Sequence, residues 1–157
     1  MVVNEESLKH LKTLEDNTFD SCVTDPPYHL ASILKRFGPG QKGINNKDEK
    51  AGRNGPYHRA AKGFMGQTWD GGDIAFNKDF WKEVLRVMKP GAVLLSFAAT
   101  RNYHRMAVAV EDAGFEIFDM INWIYGSGFP KRKNYLKPGH EPIVMARKPL
   151  SEKTVVD

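Results

Sequence analysis

Asp25, Pro26, Pro27 and Tyr28 are consecutive, and together they can do one specific kind of chemistry. Asp25 offers carboxylate acceptors, and Pro26 keeps a carbonyl acceptor although it has no N–H to donate. Two acceptors held by a stiff Pro-Pro unit suit an exocyclic amine on a nucleobase. Such an amine is a poor nucleophile because its lone pair is delocalised into the ring. Accepting hydrogen bonds from both amine hydrogens favours the tetrahedral nitrogen, whose lone pair is free. This is electrostatic preorganisation aimed at developing positive charge. Tyr28 supplies a ring on which a base can stack. A base in a duplex reaches such a place only when it is flipped out, and stacking offsets part of that cost. An electrophilic methyl donor placed opposite would complete an in-line transfer.

The tetrapeptide needs an element to hold it. Phe19-Asp20-Ser21-Cys22-Val23-Thr24 reads as a buried strand. Two prolines cannot continue its ladder, so the strand stops at Asp25. Asp25 and Tyr28 are thereby placed at the carboxyl end of a strand, where open α/β sheets bind ligands. The plainer reading is a Pro-rich turn after a strand.

The rest of the chain reads as an alternation of helices and strands. Ser7 is a plausible N-cap for a short helix with Leu8, Leu11 and Leu14 on its apolar side. Asn77 or Asp79 can start a helix with Phe80, Trp81, Val84, Leu85 and Met88 at helical spacing, terminated by Pro90-Gly91. Ala92 to Phe97 is a near-continuous apolar run, expected of a strand covered on both faces. Thr100 can cap a third helix with Tyr103, Met106, Ala107 and Val110 on its apolar side and Gly114 as its stop. Phe115 to Trp123 and Ile143 to Ala146 are two further strands. No helix separates them, so they are expected to form an antiparallel pair at a sheet edge, while the alternating part argues for a parallel sheet.

Residues 29–68 differ in composition. They are rich in Gly, Asn and Pro, and residues 29–62 carry eight Lys/Arg against two acids. That excess of positive charge exceeds the net +4 of the whole chain. The segment reads as a long mobile basic loop, functional or merely solvated. Lys35, Arg36, Lys42, Arg53 and Arg59 within it, and Lys131-Arg132-Lys133 after the third strand, are the candidate contacts to nucleic-acid phosphates.

The chain has 157 residues, 41% hydrophobic and 27% charged, which suits one globular domain with a single core. One cysteine, Cys22, excludes an internal disulfide and reads as a small core residue. There is no cationic apolar leader and no run of about 18 apolar residues, so a soluble cytoplasmic protein without a membrane partner is expected. His140-Glu141 could suggest a metal or an acid/base pair. Five scattered histidines lack ligand spacing, so no metal is expected. Trp123, Tyr125 and Phe129 could sandwich a flipped base or pack in core and loops.

The ordered blocks resemble a known family. Ser7-Leu8 through Leu14, Asp16-Asn17 and Asp20 lead into Thr24-Asp25-Pro26-Pro27-Tyr28. Gly63-Phe64-Met65-Gly66, Trp69-Asp70, Val84 to Gly91, Thr100 to Arg105, Tyr125 to Lys131 and Leu136 to Ile143 follow in order. Together they resemble the S-adenosylmethionine-dependent amino-methyltransferases of DNA, in the permuted arrangement that puts the catalytic motif before the cofactor motif, and in particular the phage and prophage DNA methylases. The resemblance implies a partial Rossmann-like methyltransferase sheet of about four strands, mostly parallel with an antiparallel edge pair, flanked by helices. It implies residues 1–157 as one catalytic half-domain with the basic loop 29–68 inserted. It makes Asp25, Pro26, Pro27 and Tyr28 catalytic, places Asp25 and Glu6 near the S-adenosylmethionine cofactor, and makes DNA the substrate. An aspartate in first position is typical of adenine-N6 enzymes, whereas serine would suggest cytosine-N4.

Two departures from the pattern carry expectations of their own. No segment of the type Asp-Pro-Phe-x-Gly-x-Gly, which would hold the methionine part of the cofactor, occurs in these residues. Gly126-Ser127-Gly128-Phe129 follows the wrong strand and opens no helix. In place of a glycine beside Glu6 stands Glu5. The strand before Asp25 is therefore expected to lack a neighbour on one side, an exposed pairing site. The chain is expected to pair with a second copy, to bind a complementary chain carrying the cofactor motif, or to be poorly stable alone. The rival expectation is a catalytically inactive remnant acting as a DNA-binding or protein-interaction module.

Overall fold

A computed structural model describes residues 2–27, 73–128, 136–137 and 139–151. The chain separates into two compact units, Met1–Pro26 with Phe76–Asp157, and Pro27–Ala75. The elements of the first unit are α1 (Ser7–Leu11), β1 (Phe19–Thr24), α2 (Lys78–Val87), β2 (Met88–Phe97), α3 (Tyr103–Asp112), β3 (Glu116–Ile124) and β4 (His140–Arg147).

Among the described residues the strands form one mixed sheet in the order β1-β2-β4-β3. β1 and β2 are parallel, with Cys22 opposite Leu94 and Thr24 opposite Ser96. β4 runs antiparallel to both β2 and β3. The expected antiparallel pair at an edge is present, with β3 outermost. The expectation of mostly parallel pairing needs correction. Three strands point the same way, but the reversed β4 lies between β2 and β3, so β1–β2 is the parallel contact in this sheet.

One face of the sheet is covered by helices. α2 buries Phe80, Trp81, Val84 and Val87; the first three are on the face expected from spacing, whereas Leu85 is half-buried and Met88 already belongs to β2. α3 buries Met106, Ala109 and Val110. Side chains alternate between the faces of a strand, so Leu94 and Ser96 point together, and both are fully buried. The Ser96 hydroxyl donates to Met106 Sδ at 3.2 Å, which places this face against α3. Val144 and Ala146 of β4 lie opposite Ser96 and Leu94 and are also fully buried.

Helix boundaries follow local chemistry and correct three expectations. Glu6, not Ser7, caps α1: its carboxylate accepts from Leu8 N at 3.0 Å and Lys9 N at 2.7 Å. The longer side chain reaches two orphan donors and places negative charge at the helix N-terminus. Asn77 caps α2, its Oδ1 accepting from Asp79 N at 2.9 Å and Phe80 N at 3.4 Å. α2 ends at Val87 and passes directly into β2 at Met88, so Pro90-Gly91 lies inside the strand rather than between the elements. The sheet tolerates this because the β1–β2 register shifts between Phe19/Met88 and Ser21/Val93. Lys89 to Ala92 bulge out there, and the Gly91 N–H donates instead to Lys148 O at 2.9 Å. Asn102 rather than Thr100 holds the N-cap position of α3, and Gly114 ends the turn after that helix at φ +111°.

Candidate active site

β1 brings its carboxyl end level with that of β2, Thr24 lying opposite Ser96. Asp25 follows as an exposed residue, Pro26 is buried and Pro27 half-buried. The buried Pro26 anchors the turn, so the Asp25 carboxylate projects from a fixed point at the end of a paired strand. At the neighbouring strand end the Ala98 N–H donates to Pro142 O at 2.9 Å, which carries the β2–β4 pairing one residue past Phe97. Both parallel strands thus terminate on one rim, and Asp25 stands on it. An exposed carboxylate beside a rigid backbone carbonyl is the acceptor pair that the sequence proposes for an amine.

β1 itself departs from the buried strand expected. Cys22 and Thr24, on the helix-covered side, are half-buried, but Val23 is 68% exposed. Burial pushes the Cys22 thiol up, so it stays protonated and inert at neutral pH. Among the described residues β1 pairs on its β2 side alone.

A clamp that the sequence reading missed positions the start of β1. Arg86 donates from Nη1 to Leu14 O at 2.9 Å, from Nη2 to Leu11 O at 2.8 Å and from Nε to Glu83 Oε2 at 3.0 Å. Thr18 N and Asn17 N donate to Val87 O and Arg86 O, at 2.7 and 3.1 Å. Lys89 Nζ lies 2.6 Å from Asp20 Oδ1 on β1. The sequence signal was a lone arginine between Leu85 and Val87, on a helix already strongly apolar.

The other candidates divide clearly. Glu6 is on α1, its two oxygens each accepting one backbone N–H. Trp123 lies on β3, 59% exposed and with its ring centroid 6.1 Å from that of Phe97. Tyr125 is half-buried, its N–H donating to Gly139 O at 2.9 Å. His140 and Glu141 open β4, opposite Ile124 and Trp123. Among the described residues no group of three or more His, Cys, Asp or Glu could hold a metal ion, and no helix is long and apolar enough to cross a membrane. Tyr28, Lys35, Arg36, Lys42, Arg53, Arg59, Phe129, Lys131, Arg132 and Lys133 lie outside the described residues.

The family model for N6/N4-type DNA methylases matches residues 19–156. The chain belongs to this DNA methylase family. It is similar to the type II methyltransferase M.HpaI of Haemophilus parainfluenzae, 26% identical over 149 residues, covering 94% of this chain and 38% of that protein. It is also similar to the type II methyltransferase M.HindIII of Haemophilus influenzae, 26% identical over 148 residues and covering 42% of it. The chain therefore spans about two fifths of the length of these curated relatives. Its fold superposes on the M1.HpyAVI–SAM complex with a TM-score of 0.55 at 13% identity, over 100% of this chain and 57% of that one. On the DNA modification methylase TTHA0409 of Thermus thermophilus the TM-score is 0.54 at 18% identity, over 97% of this chain and 55% of that one. The methylase sheet described above is thus shared with larger proteins of the same fold.

Proposed function

We propose that this chain supplies the acceptor side of a DNA adenine-N6 methyl transfer, with S-adenosylmethionine as the donor. The observation that carries the reading is Asp25-Pro26 on the rim where the parallel strands β1 and β2 end. Family membership supports a DNA amine as the acceptor. Asp25 in first position favours adenine over cytosine by the family resemblance.

In this reading the Asp25 carboxylate and the Pro26 carbonyl accept the two amine hydrogens and hold the nitrogen lone pair toward the methyl donor. Pro27 stiffens the turn and Tyr28 stacks on the flipped base. Lys35, Arg36, Lys42, Arg53, Arg59 and Lys131-Arg132-Lys133 neutralise DNA phosphates, which makes binding salt-dependent. S-adenosylmethionine, when bound, supplies the electrophilic methyl group. Asp25 and Glu6 are the residues of this chain that would face it, and Glu6 keeps exposed lone pairs beyond those used in its cap. A Gly-rich cradle for the methionine part does not occur in residues 1–157. Full activity is therefore proposed to need a complementary cofactor-binding segment.

The test is transfer of label from radiolabelled S-adenosylmethionine to DNA by the chain together with that segment. Digestion of the product should yield labelled N6-methyladenine. Asp25→Ala should lower transfer by roughly 100- to 1,000-fold, the typical loss for a preorganised electrostatic partner. Label on cytosine N4 would overturn the adenine assignment, and undiminished transfer by Asp25→Ala would overturn the site.

A further inference from the structure

We infer that Arg101, His104 and Arg105, on the exposed side of the start of α3, grip a backbone phosphate of the DNA strand beside the nucleotide delivered to Asp25. This rests on the methyltransferase reading above and names where the chain holds that strand.

The three residues stand on the rim that carries Asp25. The Ser96 hydroxyl donates to Met106 Sδ at 3.2 Å, and Ser96 lies opposite Thr24, the residue before Asp25. Met106 is in the first turn of α3. The helix then leads to Glu116 at the start of β3, which runs in the same direction as β2. α3 therefore travels away from the rim, and the residues before Met106 are at or beyond the level where β1 ends. A tight turn brings the chain there, with Asn102 N and Tyr103 N donating to Ala99 O at 3.1 and 2.9 Å. Arg101 is four residues past Phe97, no more than about 14 Å of chain even when fully extended.

Their side chains are set out for an anion. Positions three and four apart share one side of a helix. Arg101, His104, Arg105 and Val108 are all exposed, while Met106, Ala109 and Val110 face the core. Among the described residues none of the three cationic side chains is in an ion pair, whereas Lys9, Lys82, Arg86, Lys89 and Arg147 each meet a carboxylate. Arg105 Cζ lies 5.3 Å from the ring centre of Phe76. Stacking fixes the guanidinium and leaves the donors in its plane. His104 adds a ring N–H between the two arginines.

This placement runs against the stability of the helix that carries it. Helices favour acids in the first turn and bases in the last. α2 follows that rule with Asp79 first and Arg86 last, and α1 follows it with the Glu6 cap and Lys9 and His10 at its end. α3 has no acid in its first turn and no base in its last, where Glu111 and Asp112 stand instead. A local rule broken without a structural gain marks a functional place, and a bound anion removes the conflict. On this rim the anion is a DNA phosphate. Phosphate contacts fix the register of a duplex, and this one would set which nucleotide reaches Asp25.

The test uses the 157-residue chain and a fluorescein-labelled duplex with one unpaired adenine, the base that flips at least cost. Fluorescence anisotropy reads affinity against salt. Arg101→Gln and Arg105→Gln should each reduce the slope of log K against log salt by about 0.9, the share of one phosphate. Arg105→Lys should restore it, because the slope counts charges. Lys82→Gln, on α2 and paired with Asp79, should leave it unchanged. The thermal midpoint of Arg101→Gln should not fall, which separates a lost contact from a lost fold. A neutral methylphosphonate next to the unpaired adenine should weaken binding of the unaltered chain but not of the double glutamine variant, and one at the duplex end should affect both alike. Unchanged slopes in the glutamine variants, no salt-dependent binding by the unaltered chain, or equal sensitivity of both proteins to the neighbouring methylphosphonate would overturn the inference. Methyl transfer to adenine, with the complementary segment present, alongside unchanged slopes would remove the phosphate grip and retain the methyltransferase reading. The expected slopes without any transfer would do the reverse.

Discussion

Arg86 Nη1 meets Asp16 Oδ1 at 2.5 Å, and this pair ties the last turn of α2 to the turn that feeds β1. The hydrogen bonds it donates to Asp16 and then to Glu83 raise the guanidinium above its already high value, so it is charged at any working pH. Asp16 is 66% exposed and Arg86 28%. The ion pair is therefore screened, and surface pairs contribute little. The bonds from the same guanidinium to Leu11 O and Leu14 O are more sheltered, and no other side chain delivers several donors in one plane.

The first prediction separates the two contributions. Arg86→Ala should lower the thermal midpoint by several degrees, Arg86→Lys by less, and Asp16→Asn least of all. A single ammonium cannot serve four acceptors, so the lysine variant should recover only part of the loss. Differential scanning calorimetry measures all three. An Asp16→Asn loss equal to that of Arg86→Ala would mean that the ion pair, rather than the carbonyl bonds, fixes the turn.

Gly114 supplies a second, independent prediction. Its φ of +111° is a conformation that L side chains rarely adopt, and an added Cβ would stand 3.1 Å from Leu85 Cδ2. Gly114→Ala should cost roughly 1–3 kcal/mol, the usual range for backbone strain of this kind. The leucine tip can move aside, whereas the backbone cannot. Adding Leu85→Ala should therefore fail to restore stability in urea unfolding.

Where the sequence was legible, a local rule had no competitor. β1 spans the residues expected of it because Pro26-Pro27 stops any ladder. The buried face of α2 follows from the spacing of Phe80, Trp81 and Val84, and the β3–β4 pairing from the lack of a helix between them. The misses came from tertiary contacts. Pro90-Gly91 reads locally as a break, but Lys148 O accepts the Gly91 N–H and keeps the segment in the sheet. The place of β4 between β2 and β3 is a long-range choice that no window of residues displays. Ser7 is the better cap by type, yet Glu6 adds charge and reaches two donors. Of the site, Asp25, Pro26 and Pro27 were legible as a strand end; the Arg86 clamp was not, because its partners are main-chain carbonyls more than seventy positions away.

Glu6 gives the last prediction, because its cap and its proposed place near the cofactor draw on one carboxylate. The Lys9 N–H, and then the Leu8 N–H, hold its pKa below the ordinary carboxylate value of 4.5. In the folded chain Glu6 therefore stays ionised at a pH where the unfolded chain has begun to take up a proton. Its contribution to α1 is complete above the ordinary value and is lost as pH falls through the lowered one. A five-residue helix has little stability of its own, so the loss should be visible as fraying of α1. NMR titration should show the Glu6 side-chain carbon and the Leu8 and Lys9 amides moving together, below the ordinary carboxylate value. Glu6→Gln keeps a neutral acceptor and should weaken the cap while abolishing its acid dependence. Titration of Glu6 at the ordinary value, with unmoved Leu8 and Lys9 amides, would show that the carboxylate is free of the helix.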